Sequence, residues 1–180
     1  DCVRIDHFRG FEAYWSIPYG EATAINGKWI TGPNIELFDA IKKALGDIPV
    51  IAEDLGVITD GVKKLRDDTG LPGMAVLQLA FLDDSENVFL PHNLRRNQIV
   101  YTGTHDNDTM QGWLDQADDT AVQIAAEYAF GKKMTAKEAR ALSDSKELCA
   151  ALIRAAIASS ADYAVIPMQD ILALGKEARM

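Results

Sequence analysis

The chain has 180 residues, of which 48% are hydrophobic and 25% charged, with a formal net charge of −9. This length and balance predict one globular domain over residues 1–180. The acidic charge argues against nucleic acid or an anionic membrane as a partner, because both attract a positively charged surface.

The first part of the chain contains two predicted strands, over residues 2–6 and 49–53. Between them, residues 7–33 are predicted to form a long irregular segment rich in glycine and aromatic residues. A loop of this length inside a compact domain usually has a function. A helix is predicted to follow it, with Asn34 as its N-cap and Gly46 as its stop.

A second helix is predicted to begin at Thr59 or Asp60 and to end at Gly70. The near-continuous apolar run 73–81 predicts a strand buried on both faces, and another strand is predicted over 98–102. The rest of the chain is predicted to be mainly helical, with helices around 110–114, 121–130, 136–142, 146–159 and 171–174, and one strand over 163–168.

Strands that alternate with crossover segments predict a parallel sheet with right-handed connections. Five such strands are about half of a (βα)8 barrel, and a doubly wound sheet fits the alternation equally well. A glycine-rich phosphate loop after the first strand usually marks the doubly wound fold. Neither G-x-G-x-x-G nor a Walker sequence is present.

Three of the predicted strands are followed by an acidic residue. Asp6 ends the first strand, Glu53 the second, and Asp106 follows the strand over 98–102. A parallel barrel builds its active site from the carboxyl ends of several strands, so we expect these acids to meet. Retaining cleavage of a glycosidic bond needs two carboxyl groups about 5–5.5 Å apart, one as nucleophile and one as acid.

The neighbours of these acids suggest different roles. Arg4 lies two residues before Asp6, so both side chains share one strand face and the guanidinium favours an ionised nucleophile. Glu53 follows three apolar residues, and apolar surroundings favour the protonated form that a general acid needs. Asp106 would stabilise positive charge on the sugar ring, with His105 as a neutral donor beside it.

A purely structural interpretation of the same acids remains open. Aspartate is a favoured helix cap, and Asp54, Asp60 and Asp108 lie at strand–helix junctions. A pair such as Arg4 and Asp6 also occurs as a structural ion pair without catalysis. The presence of three acids at three strand ends argues against the structural interpretation for the set as a whole.

The aromatic residues and histidines also have two interpretations. Trp15, Tyr19 and Trp29 in the segment 7–33 fit either a buried core or a surface that stacks on sugar rings. The histidines lack the His-x-x-x-His and His-Glu-x-x-His spacings of a metal site, so we expect no metal.

The cysteines and the lack of a long apolar run indicate where the protein is located, and the first residue indicates whether the sequence is a piece of a longer one. Cys2 and Cys149 are far apart, which favours reduced thiols in a cytoplasmic protein. The sequence has no apolar run near the roughly 20 residues of a membrane span, so no membrane partner is expected. The first residue is Asp1 rather than Met, and we expect a piece of a longer protein or a processed one.

Several long stretches resemble the 4-α-glucanotransferases, also called amylomaltases or disproportionating enzymes, and together they cover essentially the whole chain. The shorter pattern of Arg-x-Asp, Glu and His-Asp is shared with the wider α-amylase superfamily. The stretches are 4–11, 27–29, 51–56, 77–81, 90–93, 101–109 and 167–170.

The resemblance implies a (βα)8 barrel that transfers α-1,4-glucan segments from one maltodextrin to the 4-hydroxyl of another, or to glucose. It implies that Asp6 is the nucleophile of a covalent glucosyl-enzyme. Glu53 would protonate the leaving oxygen and then deprotonate the acceptor, and Asp106 would stabilise the transition state. No cofactor is implied.

The resemblance also implies substrate contacts around these acids. Arg4 and His105 would hold the sugar at the cleaved bond, and Asp54 and Asp83 would contact hydroxyl groups. The segment 7–33 with Trp15 is our candidate for excluding water and binding the acceptor.

The resemblance places this chain from the fourth barrel strand to just past the eighth. We therefore expect residues 1–180 alone to have little or no activity, with the missing half of the barrel as a partner. An open half-barrel exposes edge strands and apolar surface, which invites self-association. The alternatives are an α-glucan hydrolase of the α-amylase superfamily and a non-catalytic glucan-binding fragment.

Overall fold

A computed structural model describes residues 2–82 and 85–179. The chain divides into two compact units, Asp1–Met74 and Ala75–Met180. None of the helices in these described ranges is long and apolar enough to cross a membrane.

The described residues of the first unit form two small sheets and two α-helices. β1 and β4 pair in parallel, with Ile5 opposite Ala52. A small apolar core lies behind this pair, centred on Phe8 and Val62, both fully buried. The elements are β1 (Val3–Ile5), β2 (Ala13–Ser16), β3 (Lys28–Thr31), α1 (Asn34–Leu45), β4 (Val50–Ala52) and α2 (Asp60–Thr69).

The second unit is dominated by helices packed on a short sheet. Its strands are ordered β5-β6-β7, and β6 pairs with β7 in parallel, with Val100 opposite Ala164. Fully buried side chains such as Leu114, Leu148 and Leu152 form its core. The elements are β5 (Gly73–Val76), β6 (Gln98–Tyr101), α3 (Met110–Gln116), α4 (Asp119–Phe130), α5 (Ala136–Asp144), α6 (Glu147–Ile157), β7 (Tyr163–Val165) and α7 (Met168–Ile171).

The prediction that residues 7–33 are irregular is wrong at both ends of the segment and is confirmed for residues 17–27. A 3-10 helix, Phe8–Phe11, leads into β2, and β2 pairs antiparallel with β3 so that Trp15 lies opposite Trp29. Aromatic and β-branched residues fill both stretches, and their side chains form the cross-strand pairs that stabilise such a ribbon.

The apolar run 73–81 forms a strand only as far as Val76 and continues as a 3-10 helix, Leu77–Phe81. A continuous apolar run reports burial rather than backbone conformation, so its hydropathy could not distinguish the two.

Two threonines cap α2 and α3. Thr59 is one of the two residues predicted to begin α2, whereas Thr109 takes the capping position considered for Asp108. The Thr59 hydroxyl caps α2 and the Thr109 hydroxyl caps α3. Asn34 is the first residue of α1 instead of its N-cap, and its φ of 50° is left-handed. Its side-chain amide donates to the Glu12 carbonyl. Asparagine tolerates this conformation better than most residues.

Parallel strand pairs joined through helices confirm the predicted α/β class. The residues that the structure describes form no closed barrel. The part of a (βα)8 barrel to which they correspond stays a prediction.

Candidate active site

Asp6 lies immediately after β1 and forms the ion pair expected with Arg4. Arg4 Nη2 donates to Asp6 Oδ1 at 2.8 Å, and Arg4 Nη1 lies 3.8 Å from Met74 Sδ. The Arg4 side chain is 25% exposed and that of Asp6 is 73% exposed. The arginine is therefore held against the protein, whereas the carboxylate of Asp6 stays open to a ligand.

Glu53 follows β4 at the same edge, because β1 and β4 run in parallel and Ile5 lies opposite Ala52. Glu53 N donates to the Ile5 carbonyl at 2.9 Å, and Phe8 N donates to the Glu53 carbonyl at 3.0 Å. These bonds continue the strand pairing past Asp6. The two acids thus leave neighbouring strands side by side.

The Glu53 carboxylate is fixed by two backbone donors. Its Oε2 accepts from His7 N at 2.8 Å, and its Oε1 accepts from Leu55 N at 2.9 Å. His7 has a left-handed φ of 50°, which belongs to the turn that leaves β1. The apolar surroundings expected for this side chain are replaced, within this unit, by polar backbone contacts.

Asp54 points away from the exposed acids and is 4% exposed. Its Oδ1 accepts from Met74 N at 2.7 Å, and its Oδ2 accepts from Arg66 Nη1 at 2.7 Å. Burial by itself lowers the pKa of Arg66, but hydrogen bonds to Asp67 and Asp54 outweigh it and raise that pKa. Asp54 is thus a structural anchor that joins the end of β4 to α2 and to the Met74 backbone within the first unit. Its predicted contact with a sugar hydroxyl stays a prediction.

Asp106 lies in the second unit, in the turn between β6 and α3. His105 Nε2 lies 3.3 Å from Asp106 Oδ2, and their side chains are 61% and 73% exposed. The turn is stabilised internally, since Asn107 Oδ1 accepts from both the Thr104 backbone N at 3.1 Å and the Thr104 hydroxyl at 2.7 Å. Both predicted site residues are presented to solvent by a hydrogen-bonded turn.

Trp15 and Trp29 belong to an exposed aromatic surface rather than to the core. Their rings meet edge to face at 5.4 Å, and they are 39% and 54% exposed. Trp15 Nε1 donates to the Ala24 carbonyl at 2.9 Å, and the Arg9 guanidinium lies 4.5 Å from the Trp29 ring centroid. This decides the choice that the sequence left open between core and surface.

The structure therefore brings Arg4, Asp6 and Glu53 together in one unit and His105 and Asp106 together in the other. The convergence of all three acids stays a prediction, and Asp83 lies outside the described residues. In the part of the chain that is described, no group of three or more His, Cys, Asp or Glu side chains could hold a metal ion.

The sequence assigned no role to two buried polar residues beside the turn between β6 and α3 that carries Asp106. Gln78 is 4% exposed and Asp170 is 1% exposed, and both bond to the ends of this turn. The available signal was Gln78, a single polar residue inside the otherwise apolar stretch 77–81. The stretch 167–170 contains both Gln169 and Asp170 and gave no comparable signal.

Known proteins resemble this chain over essentially its whole length. Residues 1–180 match a family model described as 4-alpha-glucanotransferase. The chain is 51% identical over 180 residues to the 4-alpha-glucanotransferase of Thermus thermophilus, covering 99% of this chain and 35% of the relative. It is 48% identical over 180 residues to the chloroplastic/amyloplastic 4-alpha-glucanotransferase of Solanum tuberosum, covering 100% and 29%.

Among solved structures, the amylomaltase from Streptococcus agalactiae in complex with acarbose is similar, with a TM-score of 0.85 and 34% identity. That similarity covers 99% of this chain and 34% of the amylomaltase. The chain thus spans about a third of the length of the relatives that it matches.

Proposed function

Because this chain belongs to the 4-alpha-glucanotransferase family, we propose that the whole protein transfers α-1,4-glucan segments between maltodextrins. The donor is cleaved with formation of a covalent glucosyl-enzyme, and the 4-hydroxyl of a second glucan, or of glucose, takes up the segment. The similarity to an amylomaltase solved in complex with acarbose supports this substrate class.

In the first step, an Asp6 carboxylate oxygen attacks C1 of the donor sugar. The bond between C1 and the glycosidic oxygen breaks, and its electron pair stays on that oxygen. Glu53 in its protonated form gives its proton to the leaving oxygen. The released product is a shorter glucan, and the retained segment is bonded to Asp6.

In the second step, Glu53, now a carboxylate, takes the proton of the acceptor 4-hydroxyl. The acceptor oxygen attacks C1, the bond from C1 to Asp6 breaks, and the Asp6 carboxylate is restored. Two displacements at C1 retain the α configuration. Water in place of the acceptor would turn the same cycle into hydrolysis.

The observation that carries this proposal is the link between Glu53 and the chain that bears Asp6. Glu53 Oε2 accepts from His7 N at 2.8 Å, and His7 directly follows Asp6. The acid is thereby tied to the nucleophile's own backbone, so the two groups move together. Fixed geometry of this kind is a large part of catalysis, because misplacement of about 1 Å can lower rates about 10²-fold.

The remaining residues receive supporting roles. Asp106 would stabilise positive charge on the sugar ring, and Arg4 would hold the Asp6 carboxylate in place through their 2.8 Å ion pair. His105 would donate to a sugar hydroxyl, and exposed Trp15 would stack on the acceptor. Asp54 and Asp83 remain candidate hydroxyl contacts, with Asp54 needing to leave its protein partners to serve as one.

We also propose that residues 1–180 alone have little or no activity, since the three acids need the scaffold of the longer relatives to converge. We propose a cytoplasmic location for the protein, although the potato relative carries a chloroplastic/amyloplastic name. Its partners would be a maltodextrin donor and acceptor.

The test is incubation of the full-length protein with maltotriose alone. Transfer gives a ladder of longer glucans together with glucose, whereas hydrolysis gives only shorter sugars. Asp6→Asn and Glu53→Gln should each lower turnover by about 10²–10⁴-fold. Asp60→Asn is the matched control, because Asp60 is a fully exposed acid on α2, and unchanged turnover in Asp6→Asn would refute the assignment.

A further inference from the structure

The turn that carries His105 and Asp106 is held at both ends by buried side chains from elsewhere in the same unit. It leaves β6 at Thr102 and enters α3 at Met110; we call residues 102–110 the Asp106 turn. Its exposed middle contrasts with these ends, since Thr102 and Met110 are both 0% exposed.

Asp170, in α7, joins the two ends directly. Its Oδ2 accepts from the Thr102 hydroxyl at 2.5 Å, and its Oδ1 accepts from Met110 N at 2.7 Å. The side chain is 1% exposed. A buried carboxylate is costly unless hydrogen-bonded, and here each of its oxygens has one partner on the turn.

Gln78, in the 3-10 helix after β5, makes a second connection. Its Nε2 donates to the Thr102 carbonyl at 3.2 Å and to the Asp108 carbonyl at 2.8 Å. A Cβ added at Gly103 would lie 2.7 Å from Gln78 Nε2. The absence of a side chain at Gly103 is therefore what allows Gln78 to reach the backbone of the turn.

We propose that Asp170 and Gln78 are positioning residues that set where the Asp106 carboxylate stands. They contact both ends of the turn and not its exposed middle, so they act on Asp106 through the backbone. This inference rests on the proposed catalytic role of Asp106. It predicts that weakening either connection lowers kcat more than it raises KM, because a displaced carboxylate stabilises the transition state less.

The chemistry of Asp170 makes a graded test feasible. In Asp170→Asn the amide oxygen can still accept from Met110 N, and the amide nitrogen can donate to the Thr102 hydroxyl, which is able to accept. Asp170→Ala removes both bonds and leaves the Met110 N–H buried without an acceptor. The asparagine variant should thus restore most of what the alanine variant loses.

The experiment measures kcat and KM for maltotriose transfer by the full-length enzyme, with thermal unfolding followed in parallel. We expect Asp170→Ala and Gln78→Ala to lower kcat roughly 10- to 100-fold, in keeping with a displacement of about 1 Å. KM should change by less than about threefold, and Asp170→Asn should recover at least half of the lost log kcat.

The matched control is Gln111→Ala. Gln111 is also a buried glutamine of this unit, at 0% exposure, but its amide donates to Asp115 and to the Ser143 carbonyl, outside the Asp106 turn. It should lower thermal stability and leave kcat within about twofold. If Asp170→Ala does not fold, Thr102→Val removes one bond from the same cluster with little change in shape and carries the same expectation.

Asp106→Asn separates the two possible failures. If it retains turnover, both the role of Asp106 and this inference are wrong. If it abolishes turnover while Asp170→Ala, Thr102→Val and Gln78→Ala keep kcat, only the positioning role is refuted. An equal loss of kcat in Gln111→Ala would also refute it, because general destabilisation would then explain the effect.

Discussion

The buried ion pair between Arg66 and Asp54 offers the most direct test of how this chain holds Glu53, the neighbour of Asp54. Arg66→Met keeps the aliphatic length of the side chain but removes the partner of a carboxylate that is 4% exposed. Met74 N would remain its one other bonded donor among the described contacts. A buried charge that loses its partner is expected to cost about 3–5 kcal/mol in the free energy of unfolding.

A surface pair on the same helix provides the comparison. Lys64 and Asp68 in α2 lie 2.6 Å apart, close to the 2.7 Å of Arg66 and Asp54, but their side chains are 74% and 45% exposed. Lys64→Met should cost less than about 0.5 kcal/mol, because solvent screens the pair. Burial rather than distance therefore decides how much each ion pair contributes to the free energy of unfolding.

Urea denaturation followed by circular dichroism measures both variants. The double variant Arg66→Met with Asp54→Asn should recover part of the loss, because it no longer leaves a charge buried alone. If Arg66→Met and Lys64→Met cost the same, within about 0.5 kcal/mol, the argument from burial is refuted. A recovered double variant that still lacks turnover would show that Asp54 also serves the site.

Three further predictions concern other parts of the chain. A hydrogen bond from Lys133, followed by bonds from neighbouring backbone and amide groups, lowers the pKa of Glu127 from 4.5 to about 2. The ionised Glu127 therefore stabilises the fold fully above pH 4.5, and this contribution is lost as pH falls towards 2. The difference in the free energy of unfolding between the unsubstituted protein and Glu127→Gln should close over that range. Burial raises the pKa of Cys149 to about 12, so iodoacetamide should label only the exposed cysteine in the native protein and both after denaturation, as counted by mass spectrometry; labelling of Cys149 under native conditions would contradict this. Gly27→Ala would bring a Cβ to 2.2 Å from Trp15 Nε1, so the Trp15 indole must move. The tryptophan fluorescence spectrum of the protein should therefore shift. An unchanged spectrum would argue against the contact.

The order of strands and helices could be predicted because it depends on local patterns. Gly70 ends α2 in the left-handed conformation that glycine favours, and the short apolar run 49–53 produced β4. The secondary-structure predictions failed where two backbone conformations are compatible with the same sequence pattern. The run 73–81 is apolar as a strand or as a 3-10 helix. In the segment 7–33, the ribbon depends on pairing between residues 13–16 and 28–31, which are distant from one another in the sequence.

The candidate site shows the same division. The spacing of Arg4 and Asp6 was sufficient to expect their ion pair, because alternate residues of a strand share a face. It could not show that Asp54 turns inward to Arg66 while Glu53, one residue earlier, faces the exposed edge. That difference depends on donors from distant positions of the same unit, the Arg66 guanidinium in α2 and the Met74 backbone N–H.

The sequence by itself determined the family, the acids that end the strands and the α/β class, because these follow from residue type and short-range spacing. Only the tertiary structure decided which polar residues serve as anchors. Gln78 meets the two ends of the Asp106 turn across 24 and 30 residues of chain, and Asp170 meets them across 68 and 60 residues. Contacts over such distances arise from packing, in which a buried polar group must find a partner wherever the fold supplies one.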